Sequence, residues 1–365
     1  LSFFSLRDYQ NQKNMKKLLL IGSNTGNSHL KNYLDLVRDY FDEVLVVSDY
    51  PVEYAPSKSV SFSLKNPLKI RNSIQKLRQI IHDYNPSIIH VHQANSYAFI
   101  AGKANNNSFP LVLTAWGSDV LLLPKRSILH RWLVKQALAK ADIVTADSVQ
   151  MIQEIHTLCP GKDVVNANFG VDLDIPVAIN ADRELILYSN RMHEPLYRIE
   201  DILIAFEAFC KEMSGHLILA GKGSLTENLK AYTNQHQLTQ QVTFTGFVTK
   251  TQNKANYLKS KFFISIPKSD GTSISLLEAM AYGCIPMLSD IPANREWIED
   301  GINGIIIGRT EPLSKAIKRG LELDVEKVQL YNRELINQRA TKSANAELFK
   351  GIYSRILASE AKANR

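Results

Sequence analysis

The residues with most to offer chemically lie together at positions 269–286, SDGTSISLLEAMAYGCIP. An apolar run, Phe262 to Ile266, leads into a polar loop holding Asp270 and Gly271, and an apolar helical pattern follows. Thr272 and Ser273 are good N-cap types, so a helix is expected to open there. Free amide N–H groups and the positive dipole end at such a start suit a phosphate or the hydroxyls of a sugar. Glu278 stands further along, among Leu276, Leu277 and Met280. A carboxylate in so apolar a stretch needs hydrogen-bond donors. A ribose diol would supply two, and a helix dipole acting on an otherwise structural carboxylate is the alternative.

A second set follows an apolar run at 185–188, reading SNRMHEPLYR over 189–198. A leaving anion requires cations at its oxygens, and Arg binds phosphate in a bidentate way. Arg191 and Arg198 are the candidates. Gly221-Lys222-Gly223 follows a strand pattern and precedes a helical one, although one G-x-G alone carries little information. In the first half, Gly22 and the loop 23–26 end the first strand, and His90-Val91-His92 ends another. Those histidines either reach a ligand or sit satisfied at a strand end. Trp116 offers an aromatic face to the apolar side of a sugar ring. Asp119 offers a carboxylate to a sugar hydroxyl or caps the next helix. No Cys, Asp or Glu accompanies the histidines at ligand spacing, so no metal site is expected. The D-x-D at 172–174 lies in a linker and is set aside.

These side chains need elements to hold them. Short apolar runs at 17–22, 43–47, 88–91, 111–114 and 143–145 read as buried parallel strands, with helical patterns between them. The same alternation restarts near 184, with strands at 185–188, 216–220, 242–244, 262–266 and 285–288. Two doubly wound α/β domains are expected, joined at 168–178 where Gly, Asp and Pro interrupt the periodicity. Ligands of such sheets bind outside the carboxyl ends of the strands. The domains are placed at 15–170 and 171–345. A closing helical stretch, 334–363, is long and amphipathic, and 346–365 is taken as a C-terminal helix packing back on the first domain.

With 45% hydrophobic and 22% charged residues, the chain is neither disordered nor fibrous. Its net charge of +7 permits an anionic partner without choosing one. Cys159, Cys210 and Cys284 form no C-x-x-C, which points to a reducing compartment, the cytoplasm. No apolar run is long enough for a membrane helix, and no signal-peptide pattern is visible. Residues 1–14 are expected to be an extension before a start at Met15. Two basic, partly apolar stretches, 65–78 and 125–140, fit an anionic membrane surface or an ordinary solvated helix face. No recognised nucleic-acid module is present, so no nucleic-acid partner is expected.

The segment 269–286 and its continuation through Ser289-Asp290 to Glu296-Trp297-Ile298-Glu299-Asp300-Gly301-Ile302-Asn303-Gly304 resemble the E-x7-E signature of family 4 retaining glycosyltransferases with the GT-B fold. That signature reads roughly E-G-F-G-x-x-x-L-E-A-M-A-x-G-x-P. The resemblance extends over most of the chain from Met15. It implies two Rossmann-like domains facing across a cleft, the second binding a nucleotide-sugar and the first an acceptor. It implies Asp270, Gly271, Thr272, Ser273 and Ile274 at the donor sugar and Glu278 at the ribose. Arg191 would take the leaving diphosphate. Arg198 would stand where family members carry Lys, ahead of Gly. Gly221 would allow close backbone approach near the nucleotide, the 245–248 loop would hold the base with Phe247 stacked on it, and Gly22 would admit the diphosphate. His92 and Trp116 would meet the acceptor, with Trp116 in place of the usual His, and Asp119 would assist near the reaction. Asp270 replaces the usual first Glu.

The expected activity is retaining, metal-independent hexosyl transfer from a nucleotide-sugar, a UDP-sugar being slightly preferred, with no cofactor. The acceptor would be a glycan or lipid-linked hydroxyl in cell-envelope polysaccharide (lipopolysaccharide) biosynthesis, at the inner face of the membrane. The alternatives are a GT-B-fold nucleotide-sugar epimerase and a non-catalytic GT-B-like assembly partner.

Overall fold

The computed structural model describes residues 15–23, 29–172 and 183–363. The expected extension before Met15, the polar loop after Ser23 and the linker residues from 173 on, with Leu173 and Asp174, lie outside the described residues. The chain divides into two units, one made of residues up to Phe169 together with Asn345–Arg365, the other of Gly170–Ala344.

The first unit runs β1 (Lys17–Ile21), α1 (His29–Val37), β2 (Glu43–Ser48), β3 (Ser57–Ser59), α2 (Pro67–Tyr84), β4 (Ile88–His92), α3 (Ser96–Asn105) and β5 (Leu111–Thr114). It continues with α4 (Ser118–Leu121), α5 (Leu123–Arg126), α6 (Ile128–Lys140), β6 (Ile143–Ala146), α7 (Val149–Leu158) and β7 (Val164–Asn166). The strands form one parallel sheet, ordered β3-β2-β1-β4-β5-β6-β7. Both faces are covered, which is why the strands read as unbroken apolar runs. Leu19 and Ile21 face a core shared with α2, α3 and α6, while Leu18 and Leu20 face one shared with α1. Helix starts follow local chemistry. The side chains of Asn66, Asn95, Ser127 and Ser148 accept N–H groups of the helices they precede. α2 and α3 stop at Asn85 and Asn106, both at φ 50°, a left-handed turn that Asn tolerates.

The second unit repeats the pattern. Its elements are β8 (Ile186–Ser189), α8 (Ile199–Cys210), β9 (His216–Ala220), α9 (Thr226–Gln235), β10 (Val242–Gly246), α10 (Lys250–Lys259) and β11 (Phe262–Ser265). Then come α11 (Ile274–Ala281), β12 (Ile285–Ser289), α12 (Pro292–Arg295), β13 (Ile305–Ile307), α13 (Leu313–Leu321) and α14 (Val325–Arg339). Its sheet, again parallel, is ordered β10-β9-β8-β11-β12-β13. In each unit the strand order reverses at one place, between β1 and β4 and between β8 and β11. The carboxyl ends at such a reversal form the ligand crevice of open α/β sheets.

The closing stretch is not one helix. α14 ends at Arg339 and α15 (Lys342–Ala363) starts afresh. Between them the Ala340 carbonyl accepts from the Val171 N–H at 2.8 Å, and the Lys342 N–H donates to the Val171 carbonyl at 3.1 Å. Those groups are diverted from the helical ladder, so the periodicity continues while the helix stops. Along α15, Phe349, Ile352, Tyr353 and Ile356 are buried in the first unit's core beside Leu18, Leu20 and Tyr33. The three-residue strands β3, β7 and β13 escaped the sequence reading because runs that short carry no period.

Candidate active site

The loops after β8 and β11, neighbours at the reversal of the second sheet, bring Arg191, Asp270 and Ser273 together. Arg191 Nη1 donates to Ser273 Oγ at 2.6 Å, and Nη2 donates to Asp270 Oδ2 at 2.5 Å. The guanidinium lies over the Tyr197 ring, 4.5 Å from its centroid. The Arg191 side chain is 10% exposed and that of Asp270 22%. Water therefore screens this pair less than an ordinary surface pair. A guanidinium has five N–H donors, so the two used here leave others for an anion. Ser273 is the N-cap of α11 and accepts from the Leu276 N–H. Asp270 Oδ1 accepts from the Gly271 N–H at 3.1 Å, and Thr272 Oγ1 accepts from the Trp297 indole at 3.1 Å. Ile274 opens the helix, half-buried. Ser273→Ala removes both the cap and one holder of Arg191. It is expected to cost about 1 kcal/mol, read as a lower denaturant midpoint.

Glu278 lies more than a turn inside α11. Its Oε2 accepts from Asn253 Nδ2 at 3.0 Å and from the Tyr257 hydroxyl at 3.1 Å. Asn253 Oδ1 accepts in turn from the Tyr188 hydroxyl at 2.5 Å and from Asn190 Nδ2 at 3.1 Å. Burial raises the Glu278 carboxyl, and the hydrogen bonds from Tyr257 and Asn253 pull against that. Both bonds land on Oε2, which leaves Oε1 with no partner among the described residues. Asn253, Tyr257 and Asn190 are absent from the sequence reading. The four-residue spacing of Asn253 and Tyr257, which puts both on one face of α10, was the signal available.

Arg198 does not join Arg191. Its Nε donates to Asp201 Oδ2 at 2.5 Å, and its side chain lines a separate cavity of about 460 Å³ with Lys268, Asp290 and Arg309. Arg198 has φ 55°, the left-handed conformation typical of Gly. A Gly would take that conformation without strain. Tyr197, one residue earlier, puts its ring against Arg191. Gly221 has φ 98°, and a Cβ there would lie 2.9 Å from the Arg191 carbonyl oxygen. Its close neighbour is thus the Arg191 loop itself. Phe247 follows β10 and is 69% exposed, so it is not a packing residue.

At the reversal of the first sheet, Gly22 packs against His92, whose Cβ would lie 3.2 Å from an added methyl. His92 is fully buried rather than exposed to an acceptor. Its Nδ1 accepts from the Trp116 indole N–H at 3.0 Å, and its Nε2 is buried without a partner. Burial first, then the nearby His29, pushes His92 down to about 3. Trp116 is half-buried, its ring edge-on to His29 and His92. His90 is buried as well. Its Nδ1 meets the Tyr33 and Tyr353 hydroxyls at 2.8 and 2.7 Å, and its Nε2 meets Thr114 Oγ1 at 2.7 Å. Asp119 is buried too, contrary to the expectation of a carboxylate open to a sugar. Its oxygens accept from the backbone N–H groups of Ala94, at 2.6 Å, and Trp116, at 3.0 and 3.2 Å. It ties the loop after β4 to the loop after β5 and positions Trp116.

Among the described residues no three His, Cys, Asp or Glu side chains converge as metal ligands. None of their helices is long and apolar enough to cross a membrane.

Comparison with known proteins meets this geometry. Residues 173–339 match the model for "Glycosyl transferases group 1" and residues 17–148 that for "Glycosyl transferase 4-like". The fold is that of a GT-B glycosyltransferase. The chain belongs to the group 1 glycosyltransferases, of the family 4 type. It is 25% identical over 284 residues to the N-acetyl-alpha-D-glucosaminyl L-malate synthase of Bacillus anthracis, spanning 73% of this chain and 70% of that one. Among solved structures it resembles sucrose-phosphate synthase from Thermosynechococcus elongatus, at TM-score 0.77 and 16% identity, over 94% of this chain and 100% of that one. It also resembles Anabaena HepE in complex with UDP-glucose, at TM-score 0.76 and 16% identity, over 94% and 99%. At such identities the structural likeness shows the fold alone.

Proposed function

We propose that the chain transfers a hexosyl group, with retention, from a nucleotide-sugar held by the second unit to a hydroxyl of a glycan or lipid-linked acceptor in envelope polysaccharide synthesis. The observation that carries this reading is Arg191, held by Ser273 and Asp270 at the start of α11 with N–H donors to spare. A guanidinium and a helix start are what a departing diphosphate requires. The acceptor oxygen bonds to the anomeric carbon as the bond from that carbon to the phosphate oxygen breaks. The acceptor proton passes to the departing phosphate, and the new bond lies on the face the diphosphate leaves. Asp270 holds Arg191 in register and is the nearest carboxylate for a sugar hydroxyl. Glu278, with Oε1 free, receives the ribose, and Phe247 offers an exposed ring to the base. No metal or cofactor is required by this scheme. A UDP-sugar donor is favoured because the Anabaena protein was solved with UDP-glucose. The three free cysteines fit a cytoplasmic site of action.

Screening UDP-, GDP- and dTDP-sugars by thermal stabilisation tests the donor site. At 100 times its dissociation constant, a bound donor stabilises by about 2.7 kcal/mol. No stabilisation by any of them would refute the reading, and an inverted anomeric product would refute retention. Glu278→Gln is expected to raise the donor KM by about tenfold, or 1.4 kcal/mol, with kcat little changed in steady-state assays. One observation favours a second reading as a non-catalytic binding partner: Arg198 is engaged with Asp201 and does not stand beside Arg191 as a second cation. That reading predicts donor binding without product.

A further inference from the structure

We propose that the start of α6, with the start of α2, is a docking surface for a bilayer carrying anionic headgroups. The positive charge of the chain is concentrated in the segment that carries these helices, with seven of its cations, at 65, 69, 71, 125, 126, 131 and 135, at or near the two starts. Residues 61–140 hold eleven Lys or Arg and two acidic residues, Asp83 and Asp119, a net +9. The whole chain is only +7, so the remainder is net −2. Asp119 is buried and spent on backbone N–H groups, so it does not offset the surface.

Apolar side chains stand out of this basic field. Ile128 is 88% exposed, Leu129 70% and Trp132 47%, and their spacing puts them on one side of the first turn and a half of α6. Leu68, in the first turn of α2, is 73% exposed. Arg126, Arg131 and Lys135 around them, and Lys69 and Arg71 on α2, are exposed and make no ion pair among the described residues. Trp132 is braced by the Phe99 ring of α3, 5.6 Å away, so it is presented by a rigid base. Such helices rest in the headgroup layer, with apolar side chains in the acyl boundary and cations on the phosphates. A polyanion such as RNA would reward the cations and leave Ile128 and Leu129 without a purpose.

Topology gives the surface a meaning. In parallel α/β sheets the helix after each strand runs back antiparallel to it, so the first turns of α2 and α6 lie at the carboxyl end of the first sheet. Trp116 and the loop tied by Asp119 lie at the same end. A bilayer at this face would meet the end of the unit assigned above to the acceptor. Docking does not itself rest on that assignment.

The test is cosedimentation of the full chain with vesicles of phosphatidylcholine alone and of phosphatidylcholine mixed with phosphatidylglycerol, without donor or acceptor. The chain should partition onto the mixed vesicles at least tenfold more strongly, and the preference should fade as salt is raised. Ile128→Gln with Leu129→Gln, and separately Arg131→Gln with Lys135→Gln, should each lower that partition about tenfold, with unfolding midpoints unchanged because all four side chains are exposed. Equal binding to both vesicle types would overturn the proposal. So would unchanged partition of the Ile128/Leu129 variant, or binding of a short RNA that equals vesicle binding and ignores that variant. Since no turnover is measured, failure here leaves the transferase reading intact, and failure of donor binding leaves this result intact.

Discussion

Arg191→Ala is expected to lower kcat by about 100- to 1,000-fold, the usual cost of removing a preorganised group that meets charge developing in the transition state. The physical reason is the way the side chain is held. Ser273 Oγ and Asp270 Oδ2 fix two of its N–H groups, and the Tyr197 ring lies under its plane. No reorientation is needed when diphosphate charge appears. Arg191→Lys should recover little, because one ammonium cannot keep the forked contacts to Ser273 and Asp270 while facing a phosphate. The measurement is initial rate against donor concentration. An effect confined to kcat marks an interaction made in the transition state, whereas a rise in KM alone marks simple binding. Turnover of Arg191→Ala within about threefold of the parent would remove the assigned role.

Lowering pH from 7 to 5 should destabilise the first unit strongly. His90 and His92 are buried neutral, His92 held at about 3 and His90 well below its ordinary value, in both cases chiefly by burial. Released on unfolding, each regains a pKa near 6.5. The unfolded chain therefore binds protons that the folded chain refuses. Stability is fully present above about pH 6.5 and falls by about 1.4 kcal/mol per pH unit per histidine below it. At pH 5 the two together amount to about 4 kcal/mol, a large part of a typical total of about 5–15 kcal/mol. Asp119, raised by burial, titrates in the opposite sense and trims the loss. Two of the three tryptophans, Trp116 and Trp132, lie in this unit, so fluorescence-detected denaturant titrations at the two pH values report on it. Equal midpoints at pH 7 and pH 5 would contradict the buried, neutral state of the pair.

The sheets were legible in the sequence because both are covered on two faces. Runs such as Leu18-Leu19-Leu20-Ile21 then have no polar side to show. The Arg191, Asp270 and Ser273 set was legible because each follows a strand end and has the residue type that anion chemistry needs. What was not legible depends on backbone conformation and on distant partners. Arg198 looks like a phosphate ligand in one dimension, and only the fold shows it paired with Asp201 and lining another cavity. Asp119 and His92 have the right chemistry at the right strand ends. Both are buried, and the contacts of Asp119 with Ala94 and of His92 with Trp116 span more than twenty positions. The break between α14 and α15 arises from Val171, some 170 residues earlier, which no local period records.

The last helix has a consequence for biogenesis. Tyr353 hydrogen-bonds His90, and Phe349 packs on Tyr33, in the heart of a unit whose sheet is finished by Asn166. On the ribosome that early half must wait, with one face of its sheet covered only in part by α1, until α15 has been synthesised. A stop codon ahead of α15 would therefore injure a unit whose sheet is encoded far upstream.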